Sequence, residues 1–360
     1  MIPRTAKAAV GRRILDAFRA AGAVEVAPDI LLPADTLLDL YGEDIRARAY
    51  LTTDPIRGEV VLRPDFTVPV VRMHMAGGAE PARYCYLGEV FRKQDHGDTR
   101  PDHPRDNEYL QAGFELFSRD PDADAEVFAL FHTALAPCRL TATMGDMQLL
   151  LDAVAGLPLS GPRRAMLAHH IWRPRRFQRL LERFSAPETP RRFAINGAPW
   201  TGLRTEAEML SRIARLETAA EGPPLPPEWH ERLHRLFSVA GPAPAALDEL
   251  RVLADHLPAI APAVERLAAR LAAIAARGID PAQVRFDASH GRQTMEYYDG
   301  MTFSFTAEGR AGQGRTDWPP VASGGRYDAL TRVLGAGAAI PAVGGIIRPG
   351  LVAELEGAEC

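Results

Sequence analysis

An α+β fold, an antiparallel sheet flanked by helices, follows from three features of the sequence. A long hairpin shows clean side-chain parity, regular strand–helix–strand alternation is missing, and prolines repeatedly break a helical middle. The elements come in this order. Val10, Ile14 and Phe18 recur at helical spacing between Thr5, which suits a cap, and Gly22, which suits a close. A short strand is expected at Val24–Ala27, and strand-like runs at Ala47–Thr52 and Glu59–Leu62 flank the turn Asp54–Gly58. Asp65 suits the cap of the next helix, with Pro69 tolerated in its first turn.

The hairpin comes next. Ala82–Gln94 and Asn107–Ser118 read as strands joined by the polar loop DHGDTRPDHPRD. A connection of that length is more often functional or disordered than structural. In the second strand Leu110, Ala112, Phe114 and Leu116 share one face, and Tyr109, Gln111, Gly113 and Glu115 share the other. One face is therefore expected to join a core while the polar one stays open for a ligand. A strand-like piece at Cys138–Thr143 precedes a leucine-rich helix. Prolines at 187–190, 223–227 and 242–244 then interrupt helical patterns without a repeat period. Strand character returns at Val284–Ala288 and Tyr297–Thr306, and a last strand–helix unit spans Val343–Glu356. The expected division is a first core part at 1–155, a mostly helical insertion at 156–280 and a second core part at 281–360.

Composition narrows the function class. The 360 residues are 46% apolar and 24% charged, an ordinary globular balance. No apolar run approaches the roughly 20 residues that span a bilayer, and the N-terminus lacks a secretory h-region. Cys85, Cys138 and Cys360 are far apart and odd in number, which fits a reducing cytoplasm better than a disulfide framework. A net charge of −4 argues against a general nucleic-acid coat. The arginine-rich stretch Arg163–Arg192 is therefore expected to be a solvated or partner-facing helix surface.

Nucleotide and nucleophile motifs are missing, including the Walker loop, the dinucleotide fingerprint, H-E-x-x-H and G-x-S-x-G. His230 and His234 could share a helix face, but no third ligand accompanies them, so no metal site and no cofactor are expected. What remains are polar residues on strands. Arg92 could grip a carboxylate and Glu115 an ammonium group, with Gln111 between them, a combination suited to an amino acid. Outward polar residues on a strand are also what a solvated face looks like, and spacing alone leaves both readings open.

Five stretches resemble the class II aminoacyl-tRNA synthetase core, and in particular its histidyl branch. LRPDFTVPVVR (62–72) resembles the LRPEGT segment. YLGEVFRKQ followed by NEYLQAGFELF resembles motif 2. EYYDGMTF (296–303) resembles the histidine-binding signature, and VASGGRYDAL and PAVGG resemble the runs leading into motif 3. Over roughly 5–150 and 284–352, the resemblance implies a six-stranded antiparallel sheet and dimerisation near Pro28. It also implies a histidine site. Asp65 stands for the glutamate that holds the α-ammonium, Thr67 keeps its threonine, and Arg92 would face the carboxylate. Gln111 and Glu115 match the polar strand positions, Tyr297 and Tyr298 the pair beside the imidazole, and Tyr327 the pocket tyrosine.

The departures from the synthetase pattern are as informative. The acidic residue of motif 2 is Gln94 here, the arginine that serves activation is Gln293, and the ATP-binding arginine of motif 3 is Leu351. Arg348 lies about one helical turn earlier, too far to stand in for it. Few residues follow Leu351, so the C-terminal anticodon-binding domain is expected to be absent. Losing charges that stabilise a reacting phosphate costs orders of magnitude in rate. A histidine pocket without synthetase chemistry resembles the regulatory subunit of ATP phosphoribosyltransferase. That family implies no catalytic residue on this chain, a short-form catalytic subunit as partner, self-association, L-histidine as ligand, and neither membrane nor nucleic acid. The alternative is a truncated histidyl-tRNA synthetase-like enzyme that forms histidyl adenylate.

Overall fold

The computed structural model describes residues 2–34, 49–93, 107–187, 205–220, 222–292, 298–307, 319–335 and 337–357. Gln94, the 95–106 loop, Gln293 and Tyr297 lie outside the described residues. The strands in chain order are β1 (Val24–Glu25), β2 (Leu31–Pro33), β3 (Leu51–Asp54), β4 (Gly58–Leu62), β5 (Ala82–Phe91), β6 (Glu108–Phe117), β7 (Thr141–Asp146), β8 (Ala240–Pro242), β9 (Val284–Asp287), β10 (Met301–Thr306), β11 (Ala322–Arg326) and β12 (Ala342–Ile347). The helices are α1 (Arg4–Ala20), α2 (Thr67–Met75), α3 (Ala123–Leu135), α4 (Met147–Ala155), α5 (Gly161–His169), α6 (Pro174–Ser185), α7 (Glu206–Ala220), α8 (Pro227–Ser238), α9 (Ala243–Ala254), α10 (Ala261–Ala276), α11 (Asp328–Leu334) and α12 (Pro349–Gly357).

Among the described residues the main sheet has nine strands in the order β1-β5-β6-β12-β11-β10-β7-β9-β8. Its centre, from β5 to β7, is antiparallel at every step, as the hairpin reading required. The expected six-stranded sheet is corrected at both edges. β1 joins β5 in parallel, β9 joins β7 in parallel, and β8 adds antiparallel to β9. β1 and β9 fall within the strand runs expected at Val24–Ala27 and Val284–Ala288, but strands of two to four residues carry no mark of their pairing partner. β8, three residues long, left no period at all. β2, β4 and β3 form a separate small antiparallel sheet.

α1 buries Val10, Ile14, Leu15 and Phe18, so the expected apolar stripe is real. Each such side chain contributes roughly 1.5–3 kcal/mol by leaving water. The cap is not Thr5: Pro3 precedes the helix in extended conformation, and no side chain caps it. Gly22 does close it, at φ +86°, donating its N–H to Arg19. Asp65 is corrected likewise. Phe66 stands at the N-cap of α2 and no side chain bonds that end. Asp65 is instead buried on the approach to it.

The parity of β6 holds, with one correction. Ala112, Phe114 and Leu116 enter the large core, where Phe18 packs on Phe114 and on Phe131 of α3. The opposite face is not open. Gln111 and Glu115 are buried beneath a second, smaller core built from Val68, Val70 and Val71 of α2 together with Tyr86, Phe117, Tyr327 and Leu330. Polar side chains there are enclosed, and enclosed polar groups need partners or a ligand. The helices of the middle share the large core with the sheet, through Leu167, Phe177, Leu233, Leu250, Leu267 and Ile274. Cys138 ends a 3-10 turn, and the strand expected from it starts at Thr141.

Candidate functional site

The enclosed face of β6 centres on Glu115. Thr67 of α2 donates its hydroxyl to Oε1 at 3.0 Å, and Tyr86 of β5 donates to the same oxygen at 3.0 Å. Tyr327, between β11 and α11, donates to Oε2 at 2.6 Å. Local sequence explains how the three meet. β5 and β6 pair so that Tyr86 lies opposite Gly113, and a Cβ at Gly113 would stand 2.2 Å from the Tyr86 ring. β12 pairs Gly344 with Glu115, where a Cβ would come within 1.7 Å of Oε2. The two glycines leave the room that the ring and the carboxylate occupy.

Electrostatically the group is unusual. Glu115 is wholly buried, and loss of hydration pushes its carboxyl up to about 7. The hydroxyls of Tyr327, Tyr86 and Thr67 pull it down, while the nearby Asp65 raises it. Burial and the Glu115 charge push the Tyr86 and Tyr327 phenols well above their ordinary range, so both stay protonated donors. Tyr298 is 8% exposed, its ring centroid 6.5 Å from that of Tyr327. The group thus has two carboxyls, a set of aromatic walls and no arginine or lysine among the three donors that hold Glu115. A cation fits it.

The far end is different. Gln111 is buried and donates to the Tyr109 hydroxyl at 3.4 Å, and its Oε1 has no hydrogen-bond partner among the described residues. Burial raises the Tyr109 phenol, but Arg92 and Arg348 outweigh it and bring the pKa below its usual value. Arg92, half-buried just past β5, donates Nε to the Pro64 carbonyl at 2.7 Å. Arg348 bonds the Pro320 carbonyl and lies over the Tyr109 ring. One end of the site is therefore acidic and the other basic.

The sequence-chosen residues Asp65, Thr67, Glu115, Tyr298 and Tyr327 come together around one buried carboxylate, with Gln111 and Arg92 toward the other end. Tyr86 was missed. Its signal was the tyrosine facing a glycine across the hairpin. A second group was also missed. Arg270 of α10 donates to Asp124 and to Asp146 at 2.9 Å each, and Arg326 donates to Asp124 at 2.8 Å and to Asp328 at 3.2 Å. Asp299 accepts from the backbone N–H groups of Asp328 and Ala329 at 2.9 and 2.7 Å. This frame holds the chain segments that carry Tyr298 and Tyr327. Among the described residues no group of His, Cys, Asp and Glu is arranged to hold a metal, and no helix is long and apolar enough to cross a membrane. His230 touches Gln178 at 3.4 Å.

The histidyl-tRNA synthetase family model matches residues 2–192 and 205–349. A Mesorhizobium japonicum protein named ATP phosphoribosyltransferase regulatory subunit is 35% identical, over 92% of this chain and 92% of its own length. One of the same name from Rhizobium meliloti is 33% identical, again over 92% of each. Among solved structures, an ATP phosphoribosyltransferase regulatory subunit/histidyl-tRNA synthetase from Bacillus halodurans superposes with a TM-score of 0.68. It is 21% identical, with 98% of this chain and 80% of that one covered. Histidyl-tRNA synthetase from Nostoc gives a TM-score of 0.64 at 18% identity, covering 98% and 72%. At these identities the structures speak for the fold, the class II synthetase-like sheet with flanking helices. The family follows from the sequence relatives: this chain belongs to the ATP phosphoribosyltransferase regulatory subunits, on a histidyl-tRNA synthetase-like core.

Proposed function

We propose that this chain is the non-catalytic regulatory subunit of an ATP phosphoribosyltransferase. It activates a short-form catalytic subunit, on which catalysis takes place, and mediates feedback inhibition by histidine in the first step of histidine biosynthesis, in the cytoplasm. Free L-histidine occupies the enclosed face of β6. The observation that carries the reading is the buried Glu115 carboxylate, held by neutral hydroxyls and lacking a cation from those donors. An ammonium or imidazolium supplies that charge, while Tyr298 and Tyr327 flank a flat ring. Arg92, at the opposite end, suits the α-carboxylate. The core self-associates near Pro28, and the helices at 156–280 serve assembly with the partner.

Regulation follows from differential affinity. Histidine shifts an equilibrium between active and inhibited assemblies only as far as it binds one better than the other. Co-purification with a short-form catalytic subunit, assayed with and without L-histidine, tests the reading. Activation by this chain and its reversal by histidine are expected. An unchanged catalytic rate, or robust ATP–pyrophosphate exchange by this chain alone with histidine, would overturn it.

A further inference from the structure

A second polar site lies away from the Glu115 group. Pro174, Arg175, Phe177, Gln178 and Arg179 of α6, Phe237 of α8 and Arg292 line an open cleft of about 450 Å3. Arg292 is its fixed element, only 8% exposed. Its Nε donates to the Ile171 carbonyl at 3.1 Å, and its guanidinium carbon lies 4.4 Å from the Phe237 ring centroid and 5.2 Å from that of Phe177. Stacking against two rings holds the plane of the guanidinium. Its two terminal nitrogens have no acceptor among the described residues.

Two other buried arginines, Arg270 and Arg63, are satisfied differently. Arg270 has two aspartates, and Arg63, stacked on Phe66, spends Nε and Nη1 on the carbonyls of Glu89 and Pro28. Arg292 has one carbonyl and no carboxylate among the described residues, and burial lowers its pKa with no acidic neighbour to oppose the shift. A buried cation without a counter-charge costs stability unless a ligand supplies one. On the rim, Arg175 and Arg179 stand one helical turn apart, both exposed, and the described lining includes no aspartate or glutamate. Gln178, between them, is turned to Glu182 and His230.

We propose that this cleft binds a phosphate-bearing small anion, with the Arg292 guanidinium as a preset fork and Arg175 and Arg179 closing on it from the rim. Three guanidiniums exceed the single charge of a carboxylate, and the paired terminal nitrogens match two oxygens of one phosphate. The phosphate can come from inorganic pyrophosphate or from the tail of a nucleotide.

Calorimetry of the full chain with inorganic pyrophosphate and, separately, with ATP tests the site. Saturable uptake of pyrophosphate is expected, with ATP competing for the same site. The surface pair Arg175→Ala/Arg179→Ala, which leaves the core untouched, should weaken uptake about tenfold or more. Arg292→Lys, which keeps the charge but loses the fork, should weaken it further than either rim substitution alone. No saturable uptake by the wild type, uptake unaffected by the rim pair, or ATP binding that pyrophosphate does not displace would each overturn the proposal. None of these outcomes depends on whether histidine binds at Glu115.

Discussion

Glu115 and Asp124 are both sealed from water in one molecule, yet they are handled in opposite ways. Burial drives both carboxyls upward. At Asp124 the charges and hydrogen bonds of Arg270 and Arg326 outweigh it and leave the group below its usual range. At Glu115 only hydroxyls oppose it, and the carboxyl rests at about 7. Asp124 is a closed ion cluster tying α10 to β11, and nothing further is needed there. Glu115 keeps an unspent charge. On the function proposed above, the contrast separates a strut from a receptor: the buried acid whose partners carry no positive charge is the one that would meet the ligand.

The two groups break differently. Arg270→Met leaves Asp124 with one partner fewer and Asp146 without its arginine, and removing one side of a buried ion cluster costs about 3–5 kcal/mol. Urea unfolding should show that loss as a lower midpoint. Retained stability in this variant would mean that the cluster is not a strut, and the comparison would fail on that side.

The pH response sharpens the other side. A carboxyl raised from 4.5 to about 7 in the folded protein makes its full contribution below 4.5, where both folded and unfolded chains are protonated. As pH rises through that window the unfolded chain ionises first, and stability declines until about 7. Asp124 acts in the opposite sense. Its lowered pKa stabilises the fold above the ordinary aspartate value and fails only as pH falls below it. Glu115→Gln should therefore remove the decline between 4.5 and 7, a difference of about 3 kcal/mol across the window. The same variant should lose most L-histidine binding in calorimetry. A persisting decline would assign the proton to another group, with Asp299, which burial and Asp328 push up to about 6, as the first to examine.

The antiparallel centre of the sheet and part of the candidate site were legible in the sequence, the first through alternation and the second through alternation and motif resemblance together. Alternation along β6 put Gln111 and Glu115 on one face, and the resemblance to synthetase motifs supplied Asp65, Thr67, Tyr298 and Tyr327. Whether that face was open or covered could not be read, since α2 and α11 reach it from distant parts of the chain. The Arg270 cluster was invisible for the same reason. Its partners Asp124 and Asp146 sit on other elements, and a lone buried arginine on a helix looks like any exposed one. Arg292 was hidden too, because its meaning lies in what it lacks.

Tyr327→Phe gives the smallest and most specific test. The substitution keeps the ring that packs in the second core and removes only the hydroxyl 2.6 Å from Glu115. A hydrogen bond to a charged group contributes roughly 1.5–3 kcal/mol, and the low end is expected here because Tyr86 and Thr67 still hold the other oxygen. That bond favours the ionised carboxylate, so losing it must raise the Glu115 pKa further. The decline in stability should then extend to higher pH than in the wild type, while the ring wall remains. Two readouts move together if the hydroxyl tunes the carboxylate: the upper edge of the pH window shifts upward, and histidine affinity at neutral pH weakens because more of the acid is protonated. If the edge stays where it was and only overall stability drops, Tyr327 acts through packing, and the tuning ascribed to its hydroxyl is wrong.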